Sequence, residues 1–104
     1  MKKKLIKYSL VDDEIVAVSA YYFSISPEIS LKFDFEVNRA LDKLEENPFA
    51  FFNISIRPYR RIVIKGFPYA LIYRIMDDEV FIVMLFPLKN NPKELMERIR
   101  KLYI

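Results

Sequence analysis

Cysteine and histidine are both absent from these 104 residues, and glycine occurs only once. Without cysteine there is no disulfide framework and no thiolate metal site. Without histidine there is no imidazole base, no His-centred triad and no His-bound metal. The residue types present call for no metal and no other cofactor. Long hydrophobic runs are lacking too, and none approaches membrane-spanning length. The N-terminal Lys2-Lys3-Lys4-Leu5-Ile6 opens like a signal peptide, but Lys7 and Asp12-Asp13-Glu14 interrupt the apolar stretch that such a signal needs. The expectation is a cytoplasmic protein with no membrane contact.

What is present points to a packed domain. Hydrophobic residues make up 53% of the chain and nine are phenylalanine, which excludes disorder and predicts an aromatic-rich core. The length suits one domain, 1–104, with a single core. The formal charge of +3 is mild, so the placement of charge matters more than its sum.

Residues 60–88 read as three successive strands, rich in Val, Ile, Phe and Tyr. Lys65-Gly66-Phe67-Pro68 joins the first two and Met76-Asp77-Asp78-Glu79 the last two. Upstream, residues 3–8 form a short strand with edge-type lysines. Ser9-x-x-Asp12 resembles a capping box, and Val11, Ile15, Val18 and Tyr22 follow at helical spacing to about Phe23. Ser26-Pro27 opens a second helix that buries Phe33, Val37, Ala40, Leu41 and Leu44, and Asn47-Pro48 ends it. So short a link predicts a helical hairpin. Residues 49–56, with three phenylalanines, are expected to tuck against the core. Asn91-Pro92 starts a last helix striped with Leu95, Ile99 and Leu102, in which Glu94–Arg98 and Glu97–Lys101 are i,i+4 pairs. The order is β-α-α-β-β-β-α, an α+β two-layer domain with an antiparallel sheet under a helical hairpin.

Several motifs narrow this further: Leu44-Glu45-Glu46-Asn47-Pro48, Arg60-Arg61, Phe67-Pro68-Tyr69-Ala70 and Tyr73-Arg74. With Ala20-Tyr21-Tyr22, the Asp77-Asp78 turn and Lys89-Asn90-Asn91-Pro92, the ordered set resembles the RelE/ParE superfamily of bacterial toxins. The likeness spans nearly the whole chain. It implies a toxin encoded beside a cognate antitoxin, with the N-terminal strand beside the last strand and both hairpin helices on one sheet face. RelE-like members cut mRNA on the ribosome, and ParE-like members poison DNA gyrase.

If the chain is a RelE-like nuclease, the resemblance implies Arg61, Lys65, Arg74 and Lys89 as its catalytic set. Attack by a 2′-hydroxyl needs phosphate charge neutralised and protons moved. The chain departs from the nuclease pattern at the proton-moving positions. Ala70 follows Tyr69 where an arginine belongs, Lys89-Asn90 replaces a basic pair, Met96 lies near the place of a tyrosine, and Pro87 stands where other relatives have histidine. Tyr103 could substitute only if the last helix folds back over the sheet. These departures favour a ParE-like toxin that binds and blocks its target over an enzyme. The alternatives are a ribosome-dependent mRNA endoribonuclease and a non-toxic binding module of the same fold.

For antitoxin or target binding the candidates are Arg57, Arg60, Arg61, Lys65, Phe67, Lys89 and Arg98. Arg60 and Arg61 point to opposite faces of their strand. Arg74 pairs with a carboxylate of the hairpin or emerges at the rim. Tyr69 and Tyr73 share a face with Leu71 and Ile75, which points to core packing. Phe67 plugs the core or anchors a partner, and Asp77-Asp78-Glu79 reads as a solvated turn rather than a metal site. Residues 80–86 are apolar at nearly every position, so both faces of that strand need cover. The hairpin supplies one; the last helix, a second subunit in a homodimer or an antitoxin segment supplies the other.

Overall fold

A computed structural model of the chain describes residues 2–102. The elements run β1 (Lys4–Lys7), α1 (Ser9–Ile25), α2 (Pro27–Glu46), a 3-10 turn (Pro48–Ala50), β2 (Arg60–Val63), β3 (Tyr69–Met76), β4 (Glu79–Pro87) and α3 (Pro92–Lys101). This is the predicted β-α-α-β-β-β-α order.

The four strands form one sheet in the order β1-β4-β3-β2. β2, β3 and β4 are antiparallel neighbours, whereas β1 joins β4 in parallel, Leu5 opposite Val80. A chain leaving β1 into a helical hairpin must cross over before it returns, which makes that parallel pairing possible. Gly66 holds the β2–β3 turn at φ 82°, a conformation that costs other residues a Cβ clash. Asp77 and Asp78, at φ 50° and 67°, make the tight β3–β4 hairpin.

The sheet has apolar residues on both faces. Beneath the hairpin lie Ile62, Leu71, Tyr73, Val80, Ile82 and Leu85, packed with Val11, Phe33, Val37, Ala40 and Leu44. On the opposite face Ala70, Ile72, Val83, Met84 and Phe86 meet Tyr59 and Ile99. The two-residue side-chain period alone would not place both Val83 and Met84 there. A register shift between Ile72 and Tyr73 does so, because Ile72 pairs with Met84 and Tyr73 with Ile82. Val83 is the extra residue.

The second face is therefore closed in large part by the chain's own terminal helix. Ile99 is buried there, with Leu95 and Leu102 packed beside it. Arg98 does not hold the i,i+4 geometry with Glu94; it reaches back to Glu14 of α1 and lies 5.8 Å over the Phe86 ring. The other Glu14 oxygen accepts the Leu85 N–H at 3.1 Å. That N–H lies on the edge of β4 past the end of β1, so one carboxylate caps the open strand edge and fastens α3.

Three local expectations change. The capping box is absent: Tyr8 is the N-cap of α1 without a side-chain bond, and Ser9 is already helical. The Tyr8 N–H pairs with the Ile82 carbonyl, so β1 pairing continues to the helix start. α1 extends to Ile25, two residues past the expected end. The phenylalanine-rich loop is not tucked in as a whole. Phe51 packs on the core, but Phe49 is 57% exposed and Phe52 79%. Backbone bonding overrides side-chain burial there, since Arg60 holds the Phe49 and Phe51 carbonyls at 3.3 and 2.8 Å and the Arg61 N–H bonds the Phe52 carbonyl.

Candidate partner-binding surface

Arg61 is the centre of the open surface. β2 turns Ile62 and Ile64 into the hairpin core, so strand alternation sets Arg61 and Val63 on the opposite face. Arg61 borders a cavity of about 510 Å³ between residues 52–55, the sheet and the start of α3. Buried Ile72 and Phe86 floor it, Leu95 and Asn90 flank it, and exposed Phe52 stands beside Arg61. A second cavity of about 260 Å³, lined by Lys43, Phe51 and Val63, meets Arg61 at the outer edge of β2. Val63 is 45% exposed along that edge strand. The result is an apolar slot with a guanidinium at its lip, next to a β2 edge that residues 52–54 pair as far as Arg61 and that lies open beyond it at Val63.

The other predicted site residues are spread around this slot rather than gathered in it. Arg57 and Lys65 are exposed, one in the loop before β2 and one in the β2–β3 turn. Arg60, on the hairpin side, fastens the 49–51 segment and stacks 5.6 Å over Phe49. Arg74 lies 5.6 Å over the Tyr59 ring on the face away from the hairpin, which favours the second of its two alternatives over pairing with a hairpin carboxylate. Phe67 is a core plug: its ring packs at 5.0 Å on Tyr22 and 5.2 Å on Phe33. Arg98 is occupied with Glu14. Lys89 lines a separate cavity of about 380 Å³ with Tyr21, Tyr22, Pro68, Tyr69 and Pro87. Tyr103 lies outside the described residues.

The basic residues named for a nuclease do not share one cavity. Arg61 and Lys89 line different cavities, and Arg74 lines neither. Burial pushes the Tyr73 phenol up to about 12, outweighing the nearby Arg60 charge, and its O–H donates to the Pro48 carbonyl at 2.6 Å. Burial also raises Tyr22, helped by Tyr69 and Tyr21. Both phenols are thus moved further from the neutral range where a general acid or base works best. Among the described residues no three acidic side chains gather as a metal site, and no helix is long and apolar enough to cross a membrane.

One feature of the surface escaped the sequence reading: the role of Glu14, whose partners Leu85 and Arg98 are distant in the chain. On the hairpin, which the sequence reading takes with the basic rim as the target-contact surface, Val16, Phe23, Leu31 and Phe35 are each at least 60% exposed. No charged residue occurs between positions 15 and 27.

No protein-family model and no curated protein matches the sequence. Among solved structures, a chain described as "Chromosomal ParDE TA system from P. aeruginosa" superimposes with a TM-score of 0.74. The two are 18% identical, and the match covers 85% of this chain and 98% of that one. At that identity the likeness speaks for architecture, and it coincides with the architecture that the motifs imply. The chain has the RelE/ParE-like fold.

Proposed function

We propose that this chain is the toxin of a type II toxin–antitoxin pair, of the ParE-like kind, which stops growth by binding an essential target and is silenced by an antitoxin. DNA gyrase is the target that the family resemblance implies. The single observation that carries the reading is the slot beside Arg61: apolar floor, basic lip and, beyond the stretch paired by residues 52–54, the open Val63 end of β2. An antitoxin tail that folds on binding would set apolar side chains over Ile72 and Phe86 and acids on Arg61, Lys65 and Arg57. The scatter of Arg61, Arg74 and Lys89 favours a toxin that binds over one that cuts RNA.

The deciding experiment is induced expression in a bacterium without the antitoxin, followed by pulse labelling of DNA and protein synthesis. The expected result is arrested growth, with DNA synthesis failing first and cellular mRNA intact. Cleaved mRNA on ribosomes, with protein synthesis failing first, overturns the reading in favour of an endoribonuclease. Undisturbed growth replaces it with a non-toxic binding module.

A further inference from the structure

From Ile15 onwards α1 has no charged residue on any side, although much of it faces solvent. A surface helix of a soluble monomer carries charged and polar residues on its outward side. Here that side shows Val16, Ala20 and Phe23 at spacings of four and three, Val16 66% and Phe23 60% exposed. With Ser30 and Asp34 of α2 they line a cavity of about 380 Å³ between the two helices. α2 adds Leu31 and Phe35, one turn apart and 69% and 60% exposed. Leu31 stands three residues from Asp34, hence beside the cavity rather than in it.

This face can be dried at little cost. The Ser19 and Ser30 hydroxyls bond each other at 2.9 Å between the helices, so covering them strands neither. Three of the hairpin's acids are already held by bases: Asp12 by Lys7, Glu14 by Arg98 and Glu36 by Arg39. With about 150–250 Å² on an aromatic side chain, Val16, Phe23, Leu31 and Phe35 leave on the order of 400 Å² of apolar surface in solvent. Interfaces are about 60% apolar, so a contact that covers these residues spans roughly 700 Å² on each partner. A stable complex buries about 800 Å² on each. The patch is the size that a dimer needs.

We infer that this face is a dimer interface, covered by the same face of a second copy of the chain with α1 at the centre. A two-fold contact sets one surface against itself and tolerates no like charge gathered at its middle. Residues 15–27 meet that condition. The nearby ionised side chains of α2, Glu28, Lys32 and Asp34, are of mixed sign and lie to the side. A partner chosen by charge finds nothing in this stretch of α1 to recognise, and homodimer interfaces are the more apolar class. Arg61 is on the opposite face of the sheet, so pairing through the hairpins leaves both slots open. The basic rim is then the surface left for a target.

The test is sedimentation of the full chain from about 1 to 100 µM. The 12.5 kDa monomer should give way to a particle of twice that mass, with Kd in the micromolar range. Ala20→Arg puts two like charges at the centre and should weaken the dimer at least tenfold. Leu31→Ser/Phe35→Ser should do the same by removing apolar area. Phe52→Ser removes an exposed ring from the far face and should change nothing. Raising salt from about 0.05 to 0.5 M should leave Kd within about threefold, because no charge pair holds the centre. All four substituted side chains are exposed, and circular dichroism checks that each variant folds. A chain that stays monomeric throughout overturns the inference and gives the face to a different partner. So does a dimer that keeps its Kd in either hairpin variant, weakens equally with Phe52→Ser, or dissolves as salt is raised. None of these outcomes depends on toxicity or on an antitoxin, so this inference and the proposed function stand or fall separately.

Discussion

Tyr73 shows how one side chain ties the sheet to the end of the helical hairpin. It is fully buried, and its hydroxyl reaches the Pro48 carbonyl where α2 gives way to the loop. Removing the hydroxyl as Tyr73→Phe leaves a buried acceptor unpaired and should cost about 1–2 kcal/mol in urea unfolding. The same phenol sets a pH dependence. Its folded pKa is raised from 10.0 to about 12, so the folded state holds the proton more tightly than the unfolded chain. The associated stability is present below pH 10 and is lost as pH rises from 10 towards 12. Unfolding measured across that window should fall less steeply for Tyr73→Phe than for the wild type. Gly66 offers a contrasting case, because a Cβ there meets nothing within 4 Å while φ is 82°. Gly66→Ala should therefore lose only the backbone term, about 1–2 kcal/mol, with no packing defect.

Among the elements, α3 is held differently from the others. α1, α2 and the sheet share the larger core, whereas α3 rests on Ile99, Leu95 and Leu102 and on the Glu14 carboxylate. Glu14→Ala leaves the Leu85 N–H and Arg98 without that acceptor. It should lower stability by about 1–3 kcal/mol and speed hydrogen exchange in α3 and at Leu85 more than in α2. Glu14→Gln keeps an acceptor for Leu85 but removes the charge, so exchange at Leu85 should recover while α3 stays loosened. The 48–53 segment depends on Arg60 in a similar way. Arg60→Ala frees the Phe49 and Phe51 carbonyls, and limited proteolysis should then cut near Phe49 or Phe52 first.

Across the molecule, residues 9–46 hold nine acids and three bases and the rest five acids and fourteen bases, and this separation predicts how binding responds to salt. Binding of an acidic apolar peptide at the Arg61 slot should weaken as salt is raised, and Arg61→Ala/Lys65→Ala should reduce both the affinity and its salt slope. The Leu31→Ser/Phe35→Ser variant should leave that peptide untouched.

The element order was written plainly in the chain, because helices and strands follow side-chain period and because Ser26-Pro27, Asn47-Pro48 and the Gly66 and Asp77-Asp78 turns mark their limits. The buried status of Tyr73 and the opposite pointing of Arg60 and Arg61 also follow from alternation. Other features depend on residues brought together from far apart in the sequence. The bulge at Val83 arises only when β4 pairs with β3. The capping of Leu85 by Glu14 and the capture of Arg98 need α1, β4 and α3 in place. Local chemistry by itself determined which segments fold as helix, strand and turn. Only the tertiary structure decided which basic residues remain open to a partner, since α3 covers one part of the sheet and leaves Arg61 at the edge of what it does not cover.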